Sequence, residues 1–192
     1  MALWMMVLCV AGLGVARPVQ AEESSGALRV GQAAPGFQAP ASDGKTYSLD
    51  GLKGQVVVIY FYPKDDTPGC TTEAKGFQSA GASFAAAGAV VLGVSRDDLE
   101  SHKEFAGEYG LTFPLLIDPD DTLHDAYGAW KQGSIWGRTA LGVNRSTIVI
   151  DREGIVRKVW RSVEPTGHAE EVLAFVKSLA RKRSSGSVRG DK

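Results

Sequence analysis

Three stretches of the chain are apolar without alternation, and each predicts a strand buried on both faces. They are Gln55–Tyr62 (QVVVIYFY), Ala89–Ser95 (AVVLGVS) and Ser146–Asp151 (STIVID). The third runs through Asp151-Arg152-Glu153-Gly154 into IVRKVW, a short Gly-ended connection that predicts an antiparallel hairpin. Between the strands the period lengthens to that of a helix. From Thr71 to Ala87, Phe77, Ala80 and Phe84 recur at spacings of three and four, and Leu99 to Tyr109 supplies a second helix. Thr166 to Lys182 places Ala169, Val172, Leu173, Val176 and Leu179 on one face. Glu170 and Glu171 open that helix and Lys177, Arg181 and Lys182 close it, complementing its dipole. Upstream, a Gly-, Ala-, Pro- and Ser-rich segment reads as a leading loop with short strands near Phe37 and Thr46–Ser48, turned by Asp43-Gly44. A β-α-β-α start, a hairpin and a final helix predict an α/β sandwich with a mixed β-sheet flanked by helices.

The chain has 192 residues, 44% of them hydrophobic, which suits one domain with one core. A formal net charge of -1 leaves no long basic face, so nucleic acid is not an expected partner. The closing RKRSSGSVRGDK is basic and rich in Ser and Gly, and residues 183–192 are expected to form a solvated, disordered tail. The apolar run from Ala2 to Ala16 is short of the roughly 20 residues that cross a bilayer. It is followed by Arg17-Pro18 and by Val19-Gln20-Ala21, a cleavage-like site. Residues 1–21 are therefore read as a secretory signal, residues 28–182 as the domain, and the protein as exported, to the periplasm if bacterial. The run has no Lys or Arg before its apolar core, so an uncleaved N-terminal anchor is the alternative. No stable membrane partner is otherwise expected.

Of the two cysteines, Cys9 lies inside the signal-like run, which leaves Cys70 alone in the domain. A single thiol forms no internal disulfide, and in an exported protein it pairs between molecules, reacts, or lies buried and inert. Its surroundings favour reactivity. The first long strand ends near Tyr62, Pro63 opens a loop, and Thr67-Pro68-Gly69 turns into a helix with Cys70 in its first turn. Helix N-termini present unpaired N–H groups and a positive dipole end, which favour the thiolate, the nucleophilic form. Thr67 can bring a hydroxyl to the sulfur, or serve only as a helix cap.

The segment YPKDDTPGCTTEAKGFQ, with its P-x-x-x-T-x-x-C spacing, resembles the active site of the peroxiredoxins, most closely the Q-type or bacterioferritin comigratory group. LIDPDDTLHDAYGAW and GRTALGVNRSTIVIDREGIV resemble later segments of that group, so the likeness runs from about Val30 to Leu179. It implies a thioredoxin-like fold and reduction of hydrogen peroxide or organic hydroperoxides without a cofactor or metal. By position, Cys70 matches the cysteine that attacks peroxide and becomes a sulfenic acid. Thr67 matches the residue that orients peroxide and thiolate, and Pro63 the one that shields the pocket. Arg145 matches the arginine that stabilises developing charge, and Glu73 is placed to hold that arginine. Many Q-type members carry a resolving cysteine five residues after the first; here that position is Lys75, read as a solvated lysine. The expected enzyme therefore uses one cysteine and relies on an external thiol, a thioredoxin- or glutaredoxin-like protein, or a transient Cys70–Cys70 dimer of an otherwise monomeric chain. Overoxidation is an expected liability.

Three other readings fit less well. An exported thioredoxin-like oxidoreductase needs C-x-x-C, and Glu73 stands where the second cysteine belongs. A copper carrier needs a second thiol and a placed histidine, whereas His102, His124 and His168 are scattered and read as helix-surface residues. A thiol-based peroxide sensor shares the chemistry but oxidises once instead of cycling. Tyr127, Trp130 and Trp136 are assigned to core packing, with no site claimed there.

Overall fold

The computed structural model describes residues 28–135 and 138–186. The apolar runs fall where the pattern puts them, as β3 (Val56–Phe61), β4 (Ala89–Ser95) and β8 (Ser146–Ile150). They form the middle of a five-stranded sheet of order β5-β4-β3-β8-β9, completed by β5 (Leu115–Ile117) and β9 (Val156–Arg161). β3, β4 and β5 are parallel, while β8 runs antiparallel to β3 and β9 antiparallel to β8. Every residue of β3 and β8 is buried, as strands covered on both faces require.

Alternation along β3 sends its side chains to two cores. Val56, Val58 and Tyr60 face Phe77 and Phe84 of α1 (Pro68–Ala86), Phe105 of α2 (Leu99–Tyr109) and Val172 and Val176 of α4 (His168–Gly186). Val57, Ile59 and Phe61 face Leu123 of α3 (Thr122–Ala126), Tyr127 and the N-terminal segment. That segment folds as the hairpin β1 (Gln38–Pro40) and β2 (Thr46–Ser48), with Gly44 at φ 78° in its turn. A second hairpin, β6 (Trp130–Ile135) and β7 (Arg138–Val143), has no counterpart in the sequence reading. Its residues carry Gly and charge in place of a strand pattern.

Three expectations need adjustment. The first long helix begins at Pro68, three residues before its apolar period, because proline suits the first helical position. The last helix continues to Gly186, so residues 183–186 of the expected tail are helical; the remainder, like the signal segment and Trp136, lies outside the described residues. The histidines are not on helix surfaces. His102 and His124 are fully buried and His168 nearly so, because each hydrogen-bonds to a polar side chain. His102 Nδ1 meets Asp65 at 2.7 Å, His124 Nδ1 meets Asp118 at 2.6 Å, and His168 Nε2 meets Thr147 Oγ1 at 2.8 Å. Tyr127 is buried as expected, and Trp130 is half-buried with its indole N–H on Asp125.

One glycine is fixed by close approach. A Cβ on Gly93 of β4 would lie 2.8 Å from Leu115 Cδ2, 2.8 Å from Tyr60 Oη and 2.9 Å from Tyr60 Cζ. Tyr60 cannot yield, being stacked on Phe77 and Tyr62 at 4.7 and 5.3 Å between centroids. Gly93→Ala should therefore destabilise the domain by about 2 kcal/mol, seen as a lower denaturant midpoint at unchanged slope. An unchanged midpoint would mean that this core relaxes freely.

Candidate active site

The cysteine owes its place to a short loop. Tyr62 N–H makes a last bond to Val94 O at 3.1 Å, and Pro63, which has no N–H, leaves the sheet and is exposed. Asp65 then pins the loop: its carboxylate accepts from Tyr62 Oη at 2.7 Å and Ser101 Oγ at 2.8 Å and meets His102. Its N–H donates to Asp97 Oδ2 at 2.8 Å. Burial pushes the Asp65 carboxyl up, but hydrogen bonding and charge from His102, with the Tyr62 and Ser101 hydroxyls, hold it below the usual aspartate value. Asp66 turns the chain at φ 51°, and Pro68 starts α1.

Thr67 stands at the N-cap position, yet its hydroxyl does not cap the helix. It donates to Lys64 O at 3.2 Å, which leaves the oxygen lone pairs to accept from another group. Cys70 is the third residue of the helix, where N–H groups have no helical partner. The residue is buried, 1% exposed.

Arg145 leads into β8, and the antiparallel pairing of β8 with β3 brings it beside the start of α1. Its Nη2 donates to Cys70 Sγ at 3.3 Å, and its Nη1 is ion-paired with Glu73 Oε2. One guanidinium thus joins the thiol to a carboxylate three residues further along the same helix. Burial works against the arginine's charge, but Glu73 and Cys70 outweigh it and keep Arg145 ionised. Burial also dominates at Glu73, whose Oε1 has no partner, and pushes its carboxyl up to about 7 against the pull of Arg145. Lys75 is exposed, with its ammonium 5.9 Å from the Tyr109 ring centroid. Among the described residues no cluster of three His, Cys, Asp or Glu side chains is arranged to hold a metal.

The Glu73 environment has a stability consequence. The folded state keeps a proton on Glu73 up to about 7, whereas the unfolded chain releases it near the ordinary 4.5. Stability from this group is therefore full below 4.5 and is withdrawn as pH rises to about 7, by about 3 kcal/mol at most. Glu73→Gln cannot titrate, so its denaturant midpoint should gain on that of the native chain between the acid and neutral ends of this window. A parallel course for the two proteins would place the Glu73 carboxyl in its ordinary range.

Four of the five residues singled out in the sequence meet in one place: Cys70, Arg145 and Glu73 in direct contact, and Thr67 at the start of the same helix. Pro63 lies in the loop but is exposed. Sequence reasoning missed Asp65 and His102, separated by 37 positions, whose pairing carried no local signal. It also missed Asn144 and Ser162, which flank the Arg145 backbone.

Residues 30–159 match the AhpC/TSA family. Peroxiredoxin Bcp of Bacillus subtilis is 41% identical over 155 residues, 81% of this chain and 99% of the relative. A structure of Xanthomonas campestris bacterioferritin comigratory protein, studied for its alkyl peroxide reduction, superposes with a TM-score of 0.73 at 42% identity, covering 75% of this chain and 92% of that one. A Cys→Ser variant of Xylella fastidiosa peroxiredoxin Q superposes with a TM-score of 0.77 at 35% identity, covering 81% and 99%. The chain thus belongs to the AhpC/TSA family, as a Bcp/Q-type peroxiredoxin: a thiol-dependent peroxidase on a thioredoxin-like fold.

Proposed function

We propose that Cys70 is the attacking thiol of this peroxidase and that it works without a resolving cysteine. The observation that carries this reading is the Arg145 guanidinium held between Cys70 Sγ and the buried Glu73 carboxylate. The thiolate attacks the terminal oxygen of the hydroperoxide, the O–O bond breaks, and sulfur gives up two electrons. The hydroperoxide proton moves to the departing oxygen, which leaves as water or an alcohol, and Cys70 remains as a sulfenate that water protonates. Arg145 faces the charge that builds on both oxygens, and donors fixed in advance at such a position are among the strongest contributors to rate. Thr67 Oγ1, already donating to Lys64 O, accepts a hydrogen bond from the hydroperoxide O–H and so orients the substrate before that proton moves to the departing oxygen. Pro63, in the loop that leads to Thr67, is assigned the shielding of the sulfur from its place in the chain.

Cys9 and Cys70 are the only cysteines, and Cys9 lies in the segment read as a signal. The sulfenic acid therefore condenses with an external thiol, releasing water and forming a mixed disulfide. A second thiol then exchanges to free Cys70 and carry away the disulfide. The reductant is a thioredoxin- or glutaredoxin-like protein or a small thiol, and the protein is an exported monomer lacking residues 1–21. Intact-mass analysis after one equivalent of peroxide tests the recycling. A mixed disulfide with an added thiol, on a chain beginning at Glu22, is expected. A Cys70–Cys70 dimer that forms faster than the mixed disulfide would assign recycling to a second copy. Intact Met1 at a membrane would replace export by anchoring.

A further inference from the structure

The head of Arg145 is fixed by Glu73 and Cys70, but a long arginine held at one end alone keeps much of its rotamer freedom. Its root is held by a separate set of bonds centred on Asn144. Asn144 N–H donates to Ala129 O at 2.8 Å, and Asn144 O accepts from Ser146 Oγ at 2.7 Å. Its side-chain Oδ1 accepts twice from one residue across the β8–β9 ladder, from Ser162 N–H at 3.0 Å and Ser162 Oγ at 3.1 Å. Ser162 takes this position with a left-handed backbone, φ 53°, which a non-glycine residue adopts only under strain. The next residue closes the ring, as Val163 N–H donates to Arg145 O at 3.1 Å. Two residues later Pro165 reaches the active-site turn, its Cγ 3.6 Å from the position a Gly69 Cβ would take. The Arg145 guanidinium lies 3.4 Å from that same position.

We propose that Asn144 is a positioning residue for peroxide reduction, its side-chain oxygen clasping Ser162 so that the Arg145 guanidinium stays registered on the Cys70 sulfur. The inference rests on Arg145 acting as the charge stabiliser. The backbone strain at Ser162 is offset by two hydrogen bonds to one acceptor, and the segment from Ser162 to Pro165 is thereby laid along both Arg145 and the first turn of α1. Without the clasp, Arg145 keeps its ion pair with Glu73 but swings about it. Displacement of about 1 Å at a catalytic group costs up to a hundredfold in rate.

The test compares two reactions of the same thiol: single-turnover oxidation by hydrogen peroxide, which needs the oriented guanidinium, and alkylation by neutral iodoacetamide, which does not build charge on a peroxide oxygen. Asn144→Ala should slow oxidation about tenfold and alkylation by less than about twofold. Asn144→Asp, which keeps an acceptor oxygen in place, should recover most of the loss. Ser162→Gly keeps the N–H, relieves the left-handed backbone and removes only the Oγ bond; it should fold readily and lose about threefold in oxidation alone. Equal losses in both reactions, an aspartate variant no better than alanine, or a full oxidation rate in Ser162→Gly would overturn the proposal. Arg145→Ala, run alongside, separates the two levels. If it reacts with peroxide at the native rate, the reading of Arg145 fails; if it is slow while Asn144→Ala is not, only the clasp fails.

Discussion

Replacing Cys70 by serine is expected to abolish hydroperoxide reduction with every reductant. No other cysteine lies in the domain, and the serine hydroxyl stays protonated where a thiol gives a nucleophilic anion. Oxygen also cannot take the place of sulfur in the redox step, because the reaction ends with the attacked oxygen bonded to an oxidised sulfur. Loss of a nucleophile costs about a millionfold in other enzymes, which in a coupled assay reads as zero. The fold should survive. Serine is smaller than cysteine by little, and its hydroxyl can still accept from Arg145 Nη2 where the sulfur did. Hydroperoxide loss measured with dithiothreitol, and separately with a thioredoxin-like protein, checks the expectation. Appreciable turnover by a folded Cys70→Ser protein would move the chemistry elsewhere in the chain.

Arg145→Ala should slow the reaction with hydroperoxide about a hundredfold or more, the usual loss when one preorganised charge stabiliser is removed. Two contacts go together, the one to Cys70 Sγ and the one to Glu73. Removing one member of a buried ion pair normally leaves the other uncompensated. Here the Glu73 carboxyl already stands at about 7 with the arginine present, so without it Glu73 takes up a proton and the fold loses less than a fixed charge would cost it. The rate should therefore fall much further than the stability does. Arg145→Lys restores a charge but not the two-pronged fork, since an ammonium is a point charge and cannot reach sulfur and carboxylate with fixed geometry. It should recover only part of the rate. Single-turnover kinetics and a thermal melt on the same samples decide it, and an unchanged rate would make Arg145 a structural residue.

The parts of the molecule legible in the sequence are those fixed by nearest neighbours. β3, β4 and β8 were visible because strands covered on both faces need unbroken apolar runs, and α4 because Ala169, Val172, Leu173, Val176 and Leu179 repeat at helical spacing. Cys70 was visible because a strand end, a Thr-Pro-Gly turn and a helix start follow within a few residues. Arg145 stands 75 positions away, and no spacing rule connects the two; likeness to a family suggested the pairing. The histidines were misread for a related reason. His102 and His124 sit on helices among polar neighbours, and only the folded chain brings Asp65 and Asp118 to their ring nitrogens, which makes burial tolerable. The same holds for Asn144 and Ser162, two small polar residues whose role rests on a cross-strand contact and one left-handed backbone angle. The β6–β7 hairpin lacks the alternation that would have revealed it.

Turnover at Cys70 is the central claim, and one measurement reaches it directly. The protein is treated with one equivalent of hydroperoxide, the modified peptide is identified by mass spectrometry, and dithiothreitol is added before a second equivalent. Cys70 should gain a single oxygen atom, return to the free thiol, and consume the second equivalent at the rate of the first. Peroxide loss with Cys70 still reduced, or an oxidised Cys70 that thiol does not restore, would contradict it.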